Sequence, residues 1–179
     1  MKRIILGIML IILLTNMLTL AFDAKPVSAE PSTIYVDDDN TIPPWDGTLE
    51  HPCRNITAGI KKAATGDMIF VCNGTYHEEV VIDKDNLTLI GENKASTIID
   101  GDGTLYCGIH LLRRSGVTVK NFKVVRFESG ILLTSSTDNN LINNIVSDNE
   151  KGISLVQFGQ PLSSDNIVIG NTVSNNIGG

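Results

Sequence analysis

The side chains able to do chemistry in this 179-residue chain fall into a few groups, each of which implies a different reaction. Asp138 and Asp165 stand six residues before Asn144 and Asn171. Glycoside hydrolysis needs two such carboxylates, close together for retention and farther apart for inversion. Stacked in register, the two would lie about 4.8 Å apart. Both, however, sit in turn-like contexts, Thr137-Asp138-Asn139 and Ser164-Asp165-Asn166, where a turn-capping aspartate explains them more cheaply.

A second group is basic. Arg113, Arg114, Lys120, Lys123 and Arg126 follow one another with no Asp or Glu between Asp102 and Glu128. Such a band suits an anionic sugar chain, and these five are the expected ligand-binding residues. Strand alternation should point Thr118 and Lys120 outward while Val117 and Val119 point in. A polysaccharide lyase would also want calcium held by carboxylates near an Arg or Lys base. The acidic runs Asp37-Asp38-Asp39 and Asp100-Gly101-Asp102 lack the full oxygen-ligand spacing of a calcium loop and read better as turns. Copper would want clustered Met, Cys or His. His51, His77 and His110 are scattered, and Met68 is the single methionine outside the leader. No metal ligand and no cofactor are assigned. Of the aromatics, only Trp45 and Phe158 suggest sugar stacking.

Three cysteines allow one disulfide and one leftover thiol. Cys53 and Cys72 both belong to the N-terminal end of the fold and are expected to pair, which leaves Cys107 as a small apolar filler. Asn55, Asn73 and Asn86 open Asn-x-Thr triplets, which matter only where exported chains are glycosylated.

These groups need a scaffold outside the cytoplasm. Lys2 and Arg3 precede an apolar run from Ile4 to Leu14, and Val27-Ser28-Ala29 offers small residues to a signal peptidase. Residues 1–29 are read as a signal peptide and the protein as secreted or cell-surface; the alternative is an uncleaved membrane anchor. The chain carries a formal −6, and without this leader's three basic and one acidic residues it stands at −8. That balance excludes nucleic acid as a partner.

Residues 30–66 read as a strand at Thr33–Val36, a Pro-rich loop, and a helix from Asn55 to Ala64 with Asn55 as N-cap and Gly66 as the stop. From 67 to 179 short apolar runs alternate with Gly, Asn and Asp. Gly108-Ile109, Gly130-Ile131 and Gly152-Ile153 start 22 residues apart. Val119, Ile142 and Ile169 each stand two before an Asn, at Asn121, Asn144 and Asn171, with a longer last spacing that places an insertion at 157–163. A period in the low twenties with several strands per unit means stacked coils, none able to bury its apolar side alone. Asn at the turns tolerates left-handed backbone and can hydrogen-bond along a ladder. The helix is expected to cover the first coil, and the chain is expected to continue beyond Gly179.

Thr33-Ile-Tyr-Val-Asp-Asp-Asp, Gly66-Asp67-Met-Ile-Phe-Val, Asn73-Gly74-Thr75-Tyr76-His-Glu78, Leu87-Thr-Leu-Ile-Gly91-Glu92-Asn93 and Thr97-Ile-Ile-Asp100-Gly101 resemble the N-terminal module of pectin-lyase-like proteins. Closer still is the resemblance to NosD-type and surface β-helix proteins of archaea and bacteria. It implies an all-β, right-handed parallel β-helix solenoid. The same module fronts lyases, hydrolases, epimerases and non-catalytic surface proteins, so it implies no single activity. The function expected is an exported, non-catalytic module that binds carbohydrate or cell-envelope polymer. The alternatives are the N-terminal fragment of a polysaccharide lyase or glycoside hydrolase, and a copper-associated periplasmic protein.

Overall fold

The computed structural model describes residues 30–159 and 162–178, so the expected signal peptide lies outside the described residues. What the sequence marks as repeats becomes three parallel sheets wound into coils. Sheet A stacks β1 (Thr33–Val36), β2 (Met68–Val71), β5 (Thr88–Gly91), β8 (Thr118–Lys120), β11 (Asn140–Ile142) and β14 (Ile167–Ile169). Sheet B stacks β3 (Gly74–Tyr76), β6 (Thr97–Asp100), β9 (Lys123–Val125), β12 (Ile145–Ser147) and β15 (Thr172–Ser174). Sheet C stacks β4 (Val80–Ile82), β7 (Cys107–Leu112), β10 (Ser129–Thr134) and β13 (Lys151–Val156). Each circuit passes from A to B to C, and each strand pairs in parallel with its counterpart one coil away. The chain is an all-β parallel β-helix.

Alternation decides which side chains fill the bore. Ile69, Leu89, Val119 and Leu141 from sheet A meet Ile99, Val124 and Val146 from sheet B and Ile109, Leu111, Ile131 and Leu133 from sheet C, all fully buried. Each such side chain contributes about 1.5–3 kcal/mol, against about 0–1 for an exposed ion pair, so the stack is held from inside. Ile153 and Leu155 occupy the same inward register on β13, but Ile153 is only partly buried and Leu155 is 48% exposed.

The repeated glycines have a steric cause. A Cβ on Gly130 would stand 2.5 Å from Val146 Cγ1, and one on Gly108 would stand 2.4 Å from Val124 Cγ1. The chain enters sheet C so tightly against sheet B that no side chain fits. The asparagine ladder lies at the corners, one residue away from where the Val119–Ile142 spacing places it. Val119 pairs with Leu141, and Asn144 succeeds Phe122 rather than Asn121. Asn139, Asn144 and Asn149 are buried at the three corners of one coil and accept from the amides of Val117, Phe122 and Phe127. Each donates onward to Asn166, Asn171 or Asn176.

Helix α1 (Ile56–Lys62) is shorter than the expected span. The Asn55 side chain caps it by accepting from the Ala58 amide at 2.7 Å, and Glu78 accepts from the amides of Ile56 and Thr57. Buried Ile56 and Ile60 turn toward β1, β2 and β4. Among the described residues no helix is long and apolar enough to cross a membrane.

Candidate functional site

The basic residues predicted as one band are dealt out around one coil. Arg113 is exposed at the corner after β7, in left-handed conformation. Arg114 is taken up by the Leu112 carbonyl and by Asp83 and Asp85. Arg126, at the corner between sheets B and C, forks onto Asp100 and reaches Asp102 at 3.0 Å. Burial alone would push the Asp100 carboxyl up, but the bonds and charge of Arg126 and the Asp102 amide bring it below its ordinary value. Arg126 is thus a bolt within the fold.

Lys120 and Lys123 remain, and they flank the same corner between sheets A and B. Lys120 projects outward from β8 between Ile90 and Ile142, and Lys123 from β9 between Ile98 and Ile145. A third lysine, which sequence reasoning missed, completes the set. Lys94, in the β5–β6 connection, reaches over to Asn143, with Nζ 2.7 Å from Oδ1. Asn143 in turn donates to Asn121 at 2.9 Å. Both asparagines hold left-handed backbone at the corner, and Gly91 lets Asn121 approach closely enough that a Cβ would meet its carbonyl at 2.3 Å. None of the three lysines has a carboxylate within ion-pair distance among the described residues. The signal that could have found Lys94 is its distance of 49 residues from Asn143, two coils plus the β5–β6 loop, which only the register reveals.

Beside this corner the outward row of sheet A runs Tyr35, Phe70, Ile90, Lys120, Ile142 and Ile169, one residue per coil at about 4.8 Å. Tyr35 and Phe70 are half-buried, with ring centroids 5.9 Å apart. Strand residues with no spacing signal thus form an apolar ridge interrupted by one lysine. Trp45 lies under Arg54, whose guanidinium is 5.8 Å from the ring centroid.

The carboxylate pair lies in register, Asp165 following Asp138 one coil on, since Asn140 pairs with Ile167. Both are exposed and left-handed, which is the turn role. His77 meets Asp102 at 3.0 Å, and with Asp100 these are the one cluster of possible metal donors among the described residues. His110 is half-buried on sheet C against Thr134 Oγ1 at 3.2 Å; burial pulls its pKa down, with Glu79 opposing. Asp37 caps a turn by accepting from the Asp39 amide, while Asp38 reaches across to accept from the Thr75 amide of β3.

The expected disulfide is corrected. Cys53, Cys72 and Cys107 are all free thiols. Val36 pairs with Cys53 on one side and Val71 on the other, so β1 runs between the two cysteines. Two strand spacings are about 10 Å, beyond the roughly 7 Å that a disulfide bridges. Burial raises the pKa of all three thiols, that of Cys107 to about 12. Of the sequon asparagines, Asn55 caps α1, Asn73 accepts from Ser96 and Thr97, and Asn86 is an exposed left-handed turn residue.

A family model described as periplasmic copper-binding protein (NosD) matches residues 36–179. Among solved structures, pectin methylesterase PemA from Erwinia chrysanthemi aligns with a TM-score of 0.58 at 14% identity, covering 71% of this chain and 46% of its own. A pectin methylesterase in complex with hexasaccharide VII gives 0.57 at 14% identity, over 78% of this chain and 54% of that one. A pectin methylesterase mutant in complex with hexasaccharide IV gives 0.55 at 15% identity, over 78% of this chain and 50% of that one. At these identities the likeness is one of fold, and the chain spans about half the length of those structures. No curated protein matches in sequence.

Proposed function

The chain belongs to the NosD family, and from that premise we propose that it is an exported, non-catalytic β-helix module that binds an anionic carbohydrate or envelope polymer along the A–B corner. The observation that carries this reading is the convergence of Lys94, Lys120 and Lys123, free of carboxylates, beside the Tyr35–Phe70–Ile90 ridge. Three ammonium groups along one edge offer point charges to acidic groups repeated on a chain. The apolar ridge offers faces against which sugar rings can pack. Buried asparagine ladders hold the corner rigid, so little ordering cost falls on binding. The family's periplasmic description supports export, and two of the structural neighbours hold hexasaccharides.

The copper in the family's description does not fit the residues present. Of His77, Asp100 and Asp102, the two carboxylates already hold the Arg126 guanidinium, and His77 Nδ1 lies 3.0 Å from Asp102. The soft donors are dispersed: Cys53 and Cys107 are buried protonated thiols.

The test is co-sedimentation of the purified protein with acidic and neutral polysaccharides, scored also for released oligosaccharide. Binding to acidic polymers without release is expected, and K94E/K120E/K123E should weaken it by about tenfold or more. Release of oligosaccharide, or binding unchanged in the triple variant, overturns the reading.

A further inference from the structure

Aromatics are 5% of this chain, and most are buried or half-buried. Among the described residues the two most exposed aromatics, Tyr106 at 53% and Phe158 at 68%, line the same groove on the outer face of sheet C. The groove holds about 230 Å³. It crosses from the residue before β7, over Leu132 and Thr134 of β10, to the segment just after β13, with Ser154 in its floor and Lys151 at its edge. That volume falls below the roughly 300–1,000 Å³ of pockets for drug-sized ligands, which limits the occupant to about one ring.

Both rings stand on pinned backbone. The Tyr106 amide donates to Glu79 Oε1 at 2.6 Å, and its carbonyl accepts from the Ser129 amide at 2.8 Å. The Phe158 amide donates to Ser135 Oγ at 3.0 Å, and its carbonyl accepts from that same hydroxyl at 3.2 Å. Exposed aromatic surface on a fixed main chain is uncovered at a cost the fold does not need. It is also pre-ordered for a flat apolar face. Between the rings the hydroxyls of Ser129, Thr134 and Ser154 alternate with Leu132 and Val156, and Thr134 Oγ1 also lies 3.2 Å from His110 Nε2.

Charge decides the class of ring. Among the described residues Lys151 is the only charged side chain in the lining, and Glu128 stands 3.8 Å from its ammonium. Glu79 lies just behind Tyr106, bonded to the amides of Tyr106 and Cys107. The groove therefore offers no uncompensated positive charge to a carboxylate.

We propose that the Tyr106–Phe158 groove is a subsite for one uncharged pyranose ring of a glycan, packed by its C–H face on the aromatic walls and hydrogen-bonded by Thr134 and Ser154. This site lies on a different sheet from the lysine corner and goes beyond the function proposed above. Neither depends on the other.

The experiment is calorimetric and NMR titration of the protein with three probes: cellohexaose, maltohexaose and a galacturonic acid hexamer. At least one neutral hexamer should bind. Y106A and F158A should each weaken it by about tenfold, while K94E/K120E/K123E and about 0.5 M salt leave it unchanged. Both rings are exposed, so the alanine variants should keep the wild-type Tm, which a melt checks. Failure of both neutral hexamers to bind, or neutral binding indifferent to both alanines, overturns the subsite. Binding of the acidic hexamer alone, lost in the lysine variant, also overturns it while sustaining the corner reading.

Discussion

Asn144 shows how much rests on single polar side chains here. Its carbonyl oxygen accepts from the Phe122 amide at 3.0 Å, while its amide donates to the Val119 carbonyl and to Asn171. It is fully buried, so N144A would strand a backbone amide and a carbonyl out of reach of water. A loss of about 2–4 kcal/mol is expected from chemical unfolding, against about 1 kcal/mol for N143A on the half-buried outer side of the same corner. Equal losses would mean the ladder is not what holds the coils. The Asn-rich turns announce such a ladder, but choosing its member at this corner needs the register. Asn121 satisfies the spacing by eye, yet it is Phe122 that occupies the inner position. His110 carries a second residue-scale expectation. Burial lowers its pKa, so below about 6.5 the unfolded chain binds the proton more readily than the folded one. Stability should therefore be flat above that pH and fall as pH drops through the window below it. A Tm series on H110Q should lack that decline.

At the scale of elements, β7, β10 and β13 are the most legible, because the Gly-Ile start is itself a packing requirement. G130A should cost about 1–3 kcal/mol, since its methyl would collide with Val146 and the neighbouring carbonyl of Gly152. By contrast G103A, with open space around it, meets only the strain of its positive φ. Strand β3 was not legible, since no apolar run marks Gly74–Tyr76, and its pairing with β6 is what defines it. The same blindness to lateral order produced the disulfide expectation. Cys53 and Cys72 belong to one end of the fold, yet a strand lies between them, a fact that is two-dimensional and absent from spacing. Thiol titration under denaturing, non-reducing conditions should count three reactive groups per chain, where a disulfide would leave one.

For the whole molecule, winding converts distance along the chain into angle around an axis, and this is why the proposed binding surface was only half readable. Five basic residues within fourteen positions look like a patch, but fourteen positions are more than half a coil. The chain therefore carries them from the end of sheet C through sheets A and B, and Lys94 joins Lys120 and Lys123 from the preceding coil. The result is an acidic solenoid with one basic edge, and its two charge scales should separate with salt. At about 0.01 M the Debye length is about 30 Å, so an anionic polymer feels the net negative charge of the whole body. At about 1 M it is about 3 Å, so even the lysine contacts are screened. Affinity for an acidic polysaccharide should therefore peak at intermediate ionic strength, near about 0.1 M, where the screening length of about 10 Å hides the body and spares the edge. A monotonic fall with salt would indicate a broad cationic surface in place of this edge, and K94E/K120E/K123E should abolish the peak by leaving repulsion alone.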